Sequence, residues 1–305
     1  MRNIEDPSQY LSTIRDFIRW GASQMNQAGV YCGHGMDNTI DEAASLVLHS
    51  LHLPPDLHEA YFQAALTMDE RRVVLKLLER RVQERKPAAY LMQRTWFMGL
   101  SFYVDERVLI PRSPMAELIE GQFTPWLAAP EAVQHILDLG AGCGCLGIAC
   151  AYTFPQAQVD LVDVSTGALQ VAQRNIEEHG LADRVQVIQS HLFNGLAGRR
   201  YDFIISNPPY VSHEELQQVP AEYGYEPVQA LAAGEKGLDV VTAILHRAMD
   251  YLTPDGFLVV EVGNAWYALT EAFPDVPFTW LDFERGGEGV FLLEAKQLQA
   301  FQDRF

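Results

Sequence analysis

His135-Ile136-Leu137-Asp138-Leu139-Gly140-Ala141-Gly142-Cys143-Gly144 runs an apolar pentapeptide into a series of alternating glycines. Ile136, Leu137 and Leu139 make it a short apolar segment that reads as a buried strand ending in glycines. The glycines let the backbone turn tightly and approach a ligand with no side chain in the way. Residues 145–153 then read as a helix. Strand, glycine turn and helix in that order open a doubly wound α/β fold.

The pattern repeats downstream. Val159-Asp160-Leu161-Val162, Val185-Gln186-Val187-Ile188, Phe203-Ile204-Ile205-Ser206 and Phe257-Leu258-Val259-Val260-Glu261-Val262 are further strands. Amphipathic stretches at 165–179, 238–252 and 265–272 separate them. The alternation predicts a mainly parallel sheet with helices on both faces. Thr279 to Phe283 and Val290 to Glu294 flank Gly286-Gly287-Glu288-Gly289, which predicts a terminal hairpin with one antiparallel strand.

Upstream the period is helical. Tyr10, Ile14, Phe17, Ile18 and Met25 lie near one face. Thr39 and Glu42 form a candidate capping box before Ala43, Leu46, Val47 and Leu51. Val73, Val74, Leu77, Leu78 and Val82 make another apolar stripe. Arg71, Arg72, Lys76, Arg80, Arg81, Arg85 and Lys86 surround it, and such a run usually marks a solvated face. Between the two regions, Trp96 to Ile110 is rich in strand formers around Gly99 and Asp105-Glu106, which predicts a short hairpin joining two domains.

Composition narrows the functional classes. The chain has 305 residues, 48% hydrophobic and 20% charged, as expected of a globular protein of one large or two ordinary domains. No apolar run is long enough to span a bilayer, and Met1 to Asp6 lacks the basic-then-apolar pattern of a signal peptide. Four cysteines, three of them at Cys143, Cys145 and Cys150, make no disulfide framework or paired metal-ligand spacing. The expectation is a cytoplasmic protein without a metal. A net charge of −18 excludes a general basic surface for nucleic acid and favours either simple solubility or a basic partner.

Asp163 ends the second strand about 20 residues beyond the glycines, where an acid can accept both hydroxyls of a ribose. A helix-terminal role beside Ser165 is the plainer alternative. Glycine turn and acid together fit a dinucleotide or S-adenosylmethionine. The Gly-x-Gly-x-Gly spacing favours the latter, as does Asn207-Pro208-Pro209-Tyr210 after the fourth strand, for which a hydride-transfer enzyme has no evident use. An amide or exocyclic amine nitrogen is a poor nucleophile with two in-plane hydrogens. The side-chain oxygen of Asn207 and the carbonyl of Pro208 can accept them, the prolines stiffen the turn, and Tyr210 can pack on the planar group. Leu192 and Phe193, after the third strand, are either apolar walls for adenine or core residues.

These residues resemble the protein-glutamine N5-methyltransferases that modify translation factors and ribosomal proteins. The likeness is carried by Ala88-Ala89-Tyr90-Leu91, Trp96-Phe97, Phe102-Tyr103-Val104 and Val108-Leu109-Ile110-Pro111-Arg112. It continues through Asp138 to Gly144 and Asn207 to Tyr210. Glu226-Pro227, Ala230-Leu231, Gly234 and Gly237-Leu238 complete it. The release-factor branch usually has Pro-Arg-Pro-x-Thr-Glu after the linker. Here Pro111-Arg112-Ser113-Pro114-Met115-Ala116-Glu117-Leu118, Tyr31 to Asn38 and Val276 to Leu281 resemble the branch acting on large-subunit ribosomal protein L-three.

The resemblance implies a Rossmann-like class I methyltransferase sheet, mainly parallel with an antiparallel terminal hairpin. It divides the chain into an N-terminal helical substrate-recognition domain (1–95), a β-hairpin linker (96–112) and an S-adenosylmethionine-dependent methyltransferase domain (113–305). It implies L-three as substrate, and a place in ribosome biogenesis. Asp138, Gly140, Ala141, Gly142, Cys143, Gly144, Asp163, His191, Leu192 and Asn207 fall to the cofactor, and Asn207, Pro208, Pro209 and Tyr210 to the glutamine. His191 stands where the family commonly has Asp. Arg112 is open to two readings, contact with the substrate chain or a structural ion pair, and His34, Asp37 and Asn38 to substrate recognition or local capping. The competing functions are release-factor glutamine methylation, adenine N6 methylation of nucleic acid on a similar Asn-Pro-Pro-Tyr pocket, and a binding protein that has kept only the fold.

Overall fold

The structure, a computed structural model, describes residues 6–305; Met1 to Glu5, most of the segment read for a targeting signal, lie outside the described residues. The chain forms two compact units. One is the described part of Met1–Thr95 together with Pro220–Tyr225, and the other is Trp96–Val219 with Glu226–Phe305. No helix among the described residues is long and apolar enough to cross a membrane.

The first unit is built on helices α1 (Ile14–Gln27), α2 (Thr39–Ser50), α3 (Met68–Glu84) and α4 (Ala88–Met92). Their apolar faces meet through Phe17, Met25, Leu46, Val47, Val74 and Leu78, all fully buried or nearly so. Helix α1 starts at a reciprocal cap: Thr13 Oγ1 accepts from the Asp16 N–H at 3.2 Å, and Asp16 accepts from the Thr13 N–H at 2.9 Å. The cap of α2 corrects the Thr39–Glu42 reading. Asn38 Oδ1 accepts from Ile40 and Asp41 at 3.0 and 2.9 Å, so Thr39 is already helical.

Glu42 is instead buried, against Arg81. The basic run of α3 is therefore not uniformly solvated. Arg81 is fully buried, its Nη1 3.6 Å from Glu222, while Arg85 Nε pairs with Glu222 at 2.7 Å. Glu222 also accepts from the Tyr31 N–H at 3.0 Å. Two carboxylates from distant positions, invisible to a local charge count, make burial of the arginine tolerable. Arg80 and Arg72 remain outside, paired with Glu84 and Asp69 on their own helix.

A two-stranded hairpin, β1 (Thr95–Phe97) and β2 (Leu100–Phe102), turns at Met98 and Gly99, both with positive φ. The strand formers after Phe102 do not extend it. Residues 103–112 run outside any strand, and side chains satisfy their backbone: Asn175 bonds both the N–H and the carbonyl of Tyr103, and Glu226 accepts from the Ile110 N–H at 3.0 Å.

The main sheet holds β3 (His135–Leu139), β4 (Gln158–Asp163), β5 (Val185–Gln189), β6 (Tyr201–Ser206), β7 (Leu252–Glu261), β8 (Thr279–Leu281) and β9 (Val290–Glu294). Their order is β5-β4-β3-β6-β7-β9-β8. Strands β3 to β7 are parallel to their neighbours, while β9 is antiparallel to both β7 and β8 and lies between them. Alternation along the strands sorts two cores. Ile136, Phe203 and Phe257 face one, with α5 (Met115–Glu120), α6 (Cys145–Thr153) and α7 (Thr166–Glu178). Leu137, Ile204 and Leu258 face the other, which also takes residues of α9 (Asp239–Ala248), α10 (Trp266–Ala272) and α11 (Ala295–Ala300); the single-turn α8 (His213–Leu216) follows β6. The chain steps outward from β3 to β5 and then restarts at β6 on the other side of β3. The carboxyl ends of β3 and β6 thus bracket the point where strand order reverses, the usual ligand position in open α/β sheets.

Candidate active site

The glycine turn wraps the end of β3. Gly140, Gly142 and Gly144 have φ of 73°, 55° and 82°, a region that favours glycine. A Cβ on Gly144 would come within 2.8 Å of Leu161, so this glycine is needed for packing; a Cβ on Gly142 would meet nothing within 4 Å. Gly140 and Ala141 donate to the Val162 carbonyl at 2.8 and 3.0 Å, lashing the turn to β4. Asp138 is fully buried below it. Its Oδ2 accepts from the Gly147 N–H at 2.9 Å and fixes the first turn of α6, while Oδ1 has no hydrogen-bond partner. Burial pushes this carboxyl up to about 7, with the charge of Asp163 adding to the effect.

Asp163 ends β4. Its two oxygens accept from Gly142 at 3.0 Å and Ser165 at 2.8 Å. Burial raises its pKa, and the backbone N–H groups oppose the rise. A carboxylate has about four acceptor positions, so each oxygen keeps one for a ribose hydroxyl. The cap of α7 is supplied by Ser165, whose Oγ accepts from Ala168 at 3.2 Å. After β5, Leu192 takes the left-handed φ of 48°, strained for a leucine.

These features surround one cavity of about 390 Å³, a size suited to a small ligand. Gly140, Ala141, Gly142, Cys143, Asp163, His191, Leu192, Asn207 and Pro209 line it. Asp138, Gly144, Pro208 and Tyr210 are not part of its wall. A Cβ on Gly140 would lie 3.9 Å from the Asn207 carbonyl oxygen and 4.0 Å from Pro208 Cα, so the ends of β3 and β6 touch. The glycine cradle, its open side at Gly142 and the spare acceptors of Asp163 fit S-adenosylmethionine.

Tyr210 is packed between two glycines. A Cβ on Gly237 would fall 2.1 Å from the Tyr210 carbonyl oxygen, and one on Gly263 would fall 2.6 Å from its ring. The Tyr210 hydroxyl donates to Glu261 at 3.1 Å, and Ser113 Oγ donates to the other oxygen of Glu261 at 2.5 Å. Arg112 grips Glu226 through two bonds of 2.7 and 2.8 Å. The ion-pair reading of Arg112 is thus realised, and Arg112 also lines the cavity. Asn38 acts as a helix cap in the first unit, where His34 is buried with its ring 4.6 Å from that of Tyr223.

Several wall residues had no site role assigned from the sequence, although Val108, Leu109, Ser113, Pro227 and Ala230 lie in the stretches that carry the family resemblance. Arg107, Val108, Leu109 and Ser113 form one side, and Pro227, Gln229, Ala230, Asp239 and Val240 another. The proline-punctuated apolar run at 108–111 was the available signal for the first. Glu261 carried none, because a charged residue near the end of an apolar strand reads as a surface terminus.

A parallel sheet with one antiparallel strand next to its edge, a glycine cradle at its reversal point and an adjacent Asn-Pro-Pro-Tyr turn define a class I methyltransferase. Residues 124–222 match the family described as Methyltransferase small domain. The ribosomal protein uL3 glutamine methyltransferase of Xanthomonas campestris pv. campestris is 50% identical over 96% of this chain and 95% of its own length. The protein of that name from Francisella tularensis subsp. tularensis is 46% identical over 99% of this chain and 96% of its own. The chain belongs to the ribosomal protein uL3 glutamine methyltransferase family. A crystal structure of the hMettl16 catalytic domain in complex with MAT2A 3'UTR hairpin 6 shares the fold: it is 19% identical, with a TM-score of 0.51, over 74% of this chain and 80% of that one.

Proposed function

We propose that this chain transfers a methyl group from S-adenosylmethionine to the side-chain amide nitrogen, N5, of a glutamine in ribosomal protein uL3, the large-subunit protein L-three. One observation carries the chemistry: Asn207 lies in the wall of the same cavity as the glycine turn and Asp163. The cofactor supplies an electrophilic methyl group on its sulfonium. Asp163 holds the ribose, Gly140 to Gly144 admit the methionine portion with Asp138 beneath, and His191 and Leu192 border the adenine. Asn207 Oδ1 and the Pro208 carbonyl accept the two amide hydrogens and aim the nitrogen lone pair at the methyl group. As the nitrogen–methyl bond forms, the methyl–sulfur bond would break with its electron pair going to sulfur, leaving a neutral thioether. The nitrogen loses its conjugation and becomes positive, the two acceptors stabilise that charge more than the neutral amide, and one amide proton is lost during or after the transfer. Pro209 stiffens the turn, and Tyr210 buttresses it. No metal is needed for this step.

Residues 1–95 recognise the substrate protein in this reading, 96–112 connect, and 113–305 catalyse. The cytoplasm, where ribosomes are assembled, is the place of action. The acidic surface suits a basic ribosomal protein and disfavours direct nucleic-acid binding. The test is competition among acceptors: with labelled S-adenosylmethionine, free uL3 is expected to take up label and an oligonucleotide to take up none. Label on peptide-chain release factor alone would contradict the choice of substrate.

A further inference from the structure

Among the described residues, one buried acid next to the reaction site has no role in the scheme above. Glu261, at the end of β7, is 5% exposed. The register sets Val260 beside Ser206, so Glu261 and Asn207 leave adjacent strands at the same edge of the sheet. Four groups from two segments, 112–113 and 207–210, converge on its carboxyl. Ser113 Oγ donates to one oxygen, the Tyr210 hydroxyl donates to the other, and the side chain of Asn207 is near enough to favour the ionised acid. Arg112 is the charged group facing it, its guanidinium held on Glu226.

We propose that Glu261 is a positioning residue for methyl transfer: it holds the Asn207 amide with Nδ2 inward and Oδ1 toward the cavity, and sets a fixed negative charge behind the reacting nitrogen. This rests on the amide-methylation reading. The two ends of an asparagine amide are nearly identical in shape and opposite in hydrogen bonding. With Nδ2 outward, its hydrogens would oppose those of the substrate amide. An ionised carboxylate only accepts, so it binds the Nδ2 end and leaves Oδ1 for the substrate. The charge acts in the same direction. The nitrogen gains positive charge only as it attacks, so a buried anion one side chain away favours the transition state over the neutral ground state.

Burial raises the pKa of Glu261, and the two hydroxyl donors, Arg112 and Asn207 hold it down against that effect. The ionised acid is the working form, so kcat falls as pH drops through this pKa. The experiment uses the full chain with uL3, measuring kcat, KM for uL3, cofactor affinity by calorimetry and the kcat–pH profile. Glu261→Gln is expected to lower kcat by roughly 30-fold. Cofactor Kd and KM for uL3 should stay within about threefold, since orientation and charge act on the transition state. The acidic limb of the profile should disappear in Glu261→Gln and return in Glu261→Asp, along with part of the lost rate.

A kcat within about threefold of wild type, or equal losses in the Gln and Asp variants with the acidic limb intact, would overturn the proposal. Should Glu261→Gln fail to fold, Ser113→Ala decides. It removes one hydroxyl donor and must shift the acidic limb to higher pH; an unmoved limb overturns the role. Wild-type protein that binds cofactor yet leaves uL3 unmethylated overturns the substrate together with what rests on it, an outcome distinct from an active enzyme indifferent to Glu261→Gln.

Discussion

Tyr210 is gripped so closely by Gly237 and Gly263 that neither glycine has room for a methyl group. Both also take positive φ, so substitution adds backbone strain to the clash. Gly237→Ala is expected to lower kcat at least about tenfold through displacement of the Asn207–Tyr210 turn, with cofactor Kd changed far less. Steady-state kinetics beside calorimetry separate the two. Asp138 gives a prediction in pH. Its carboxyl titrates near 7 without cofactor, and the cofactor's sulfonium and ammonium favour the ionised form. Binding then releases a proton from whatever fraction is protonated. Cofactor affinity should rise with pH up to about 7, by at most about tenfold per pH unit, and Asp138→Asn should abolish the slope. At this scale the sequence showed the groups that form a motif, Gly140 to Gly144 and Asn207 to Tyr210. It hid those whose role comes from a neighbour across the sheet, as with Glu261 and Glu226.

Among the elements, α1 depends on its cap. Thr13→Ala is expected to destabilise the first unit by about 1 kcal/mol in urea unfolding. The backbone N–H groups of Thr13 and Ser12 hold Asp16 at about 2, below the ordinary 3.8. Folding therefore keeps this carboxylate ionised where the unfolded chain would protonate it. Its contribution is complete above 3.8 and is lost as pH falls toward 2, and Asp16→Asn should remove that part of the acid dependence. Glu222→Ala leaves the fully buried Arg81 short of a partner and should be costlier, about 3–5 kcal/mol, read in the same unfolding experiment. The strands of the main sheet were legible because parallel strands buried on both faces are plain apolar runs. The strand formers at 103–112 misled because β propensity reports burial against neighbours, and here side chains of Asn175 and Glu226 take the place of a ladder. The terminal antiparallel pair was legible; the insertion of β9 between β7 and β8 was not, since no local pattern encodes strand order.

For the whole molecule, a net charge of −18 makes association with a basic protein substrate dependent on salt. Screening shortens to about 8 Å at physiological ionic strength, so KM for uL3 should rise several-fold between low and moderate salt while kcat holds. A salt-independent KM would remove charge from the account of recognition. The chain also leaves its second unit for Pro220–Tyr225 and then returns, a discontinuity with no sequence signal because it is made by Glu222 pairing with arginines far away in the chain. The most direct test of the central claim is peptide mass spectrometry of uL3 after reaction with isotopically labelled S-adenosylmethionine and either the wild-type protein or Asn207→Ala. The expected result is one labelled methyl on a glutamine side-chain nitrogen with the wild type and none with Asn207→Ala, whose cofactor affinity is retained. Label on another residue type, or full labelling by Asn207→Ala, would contradict it.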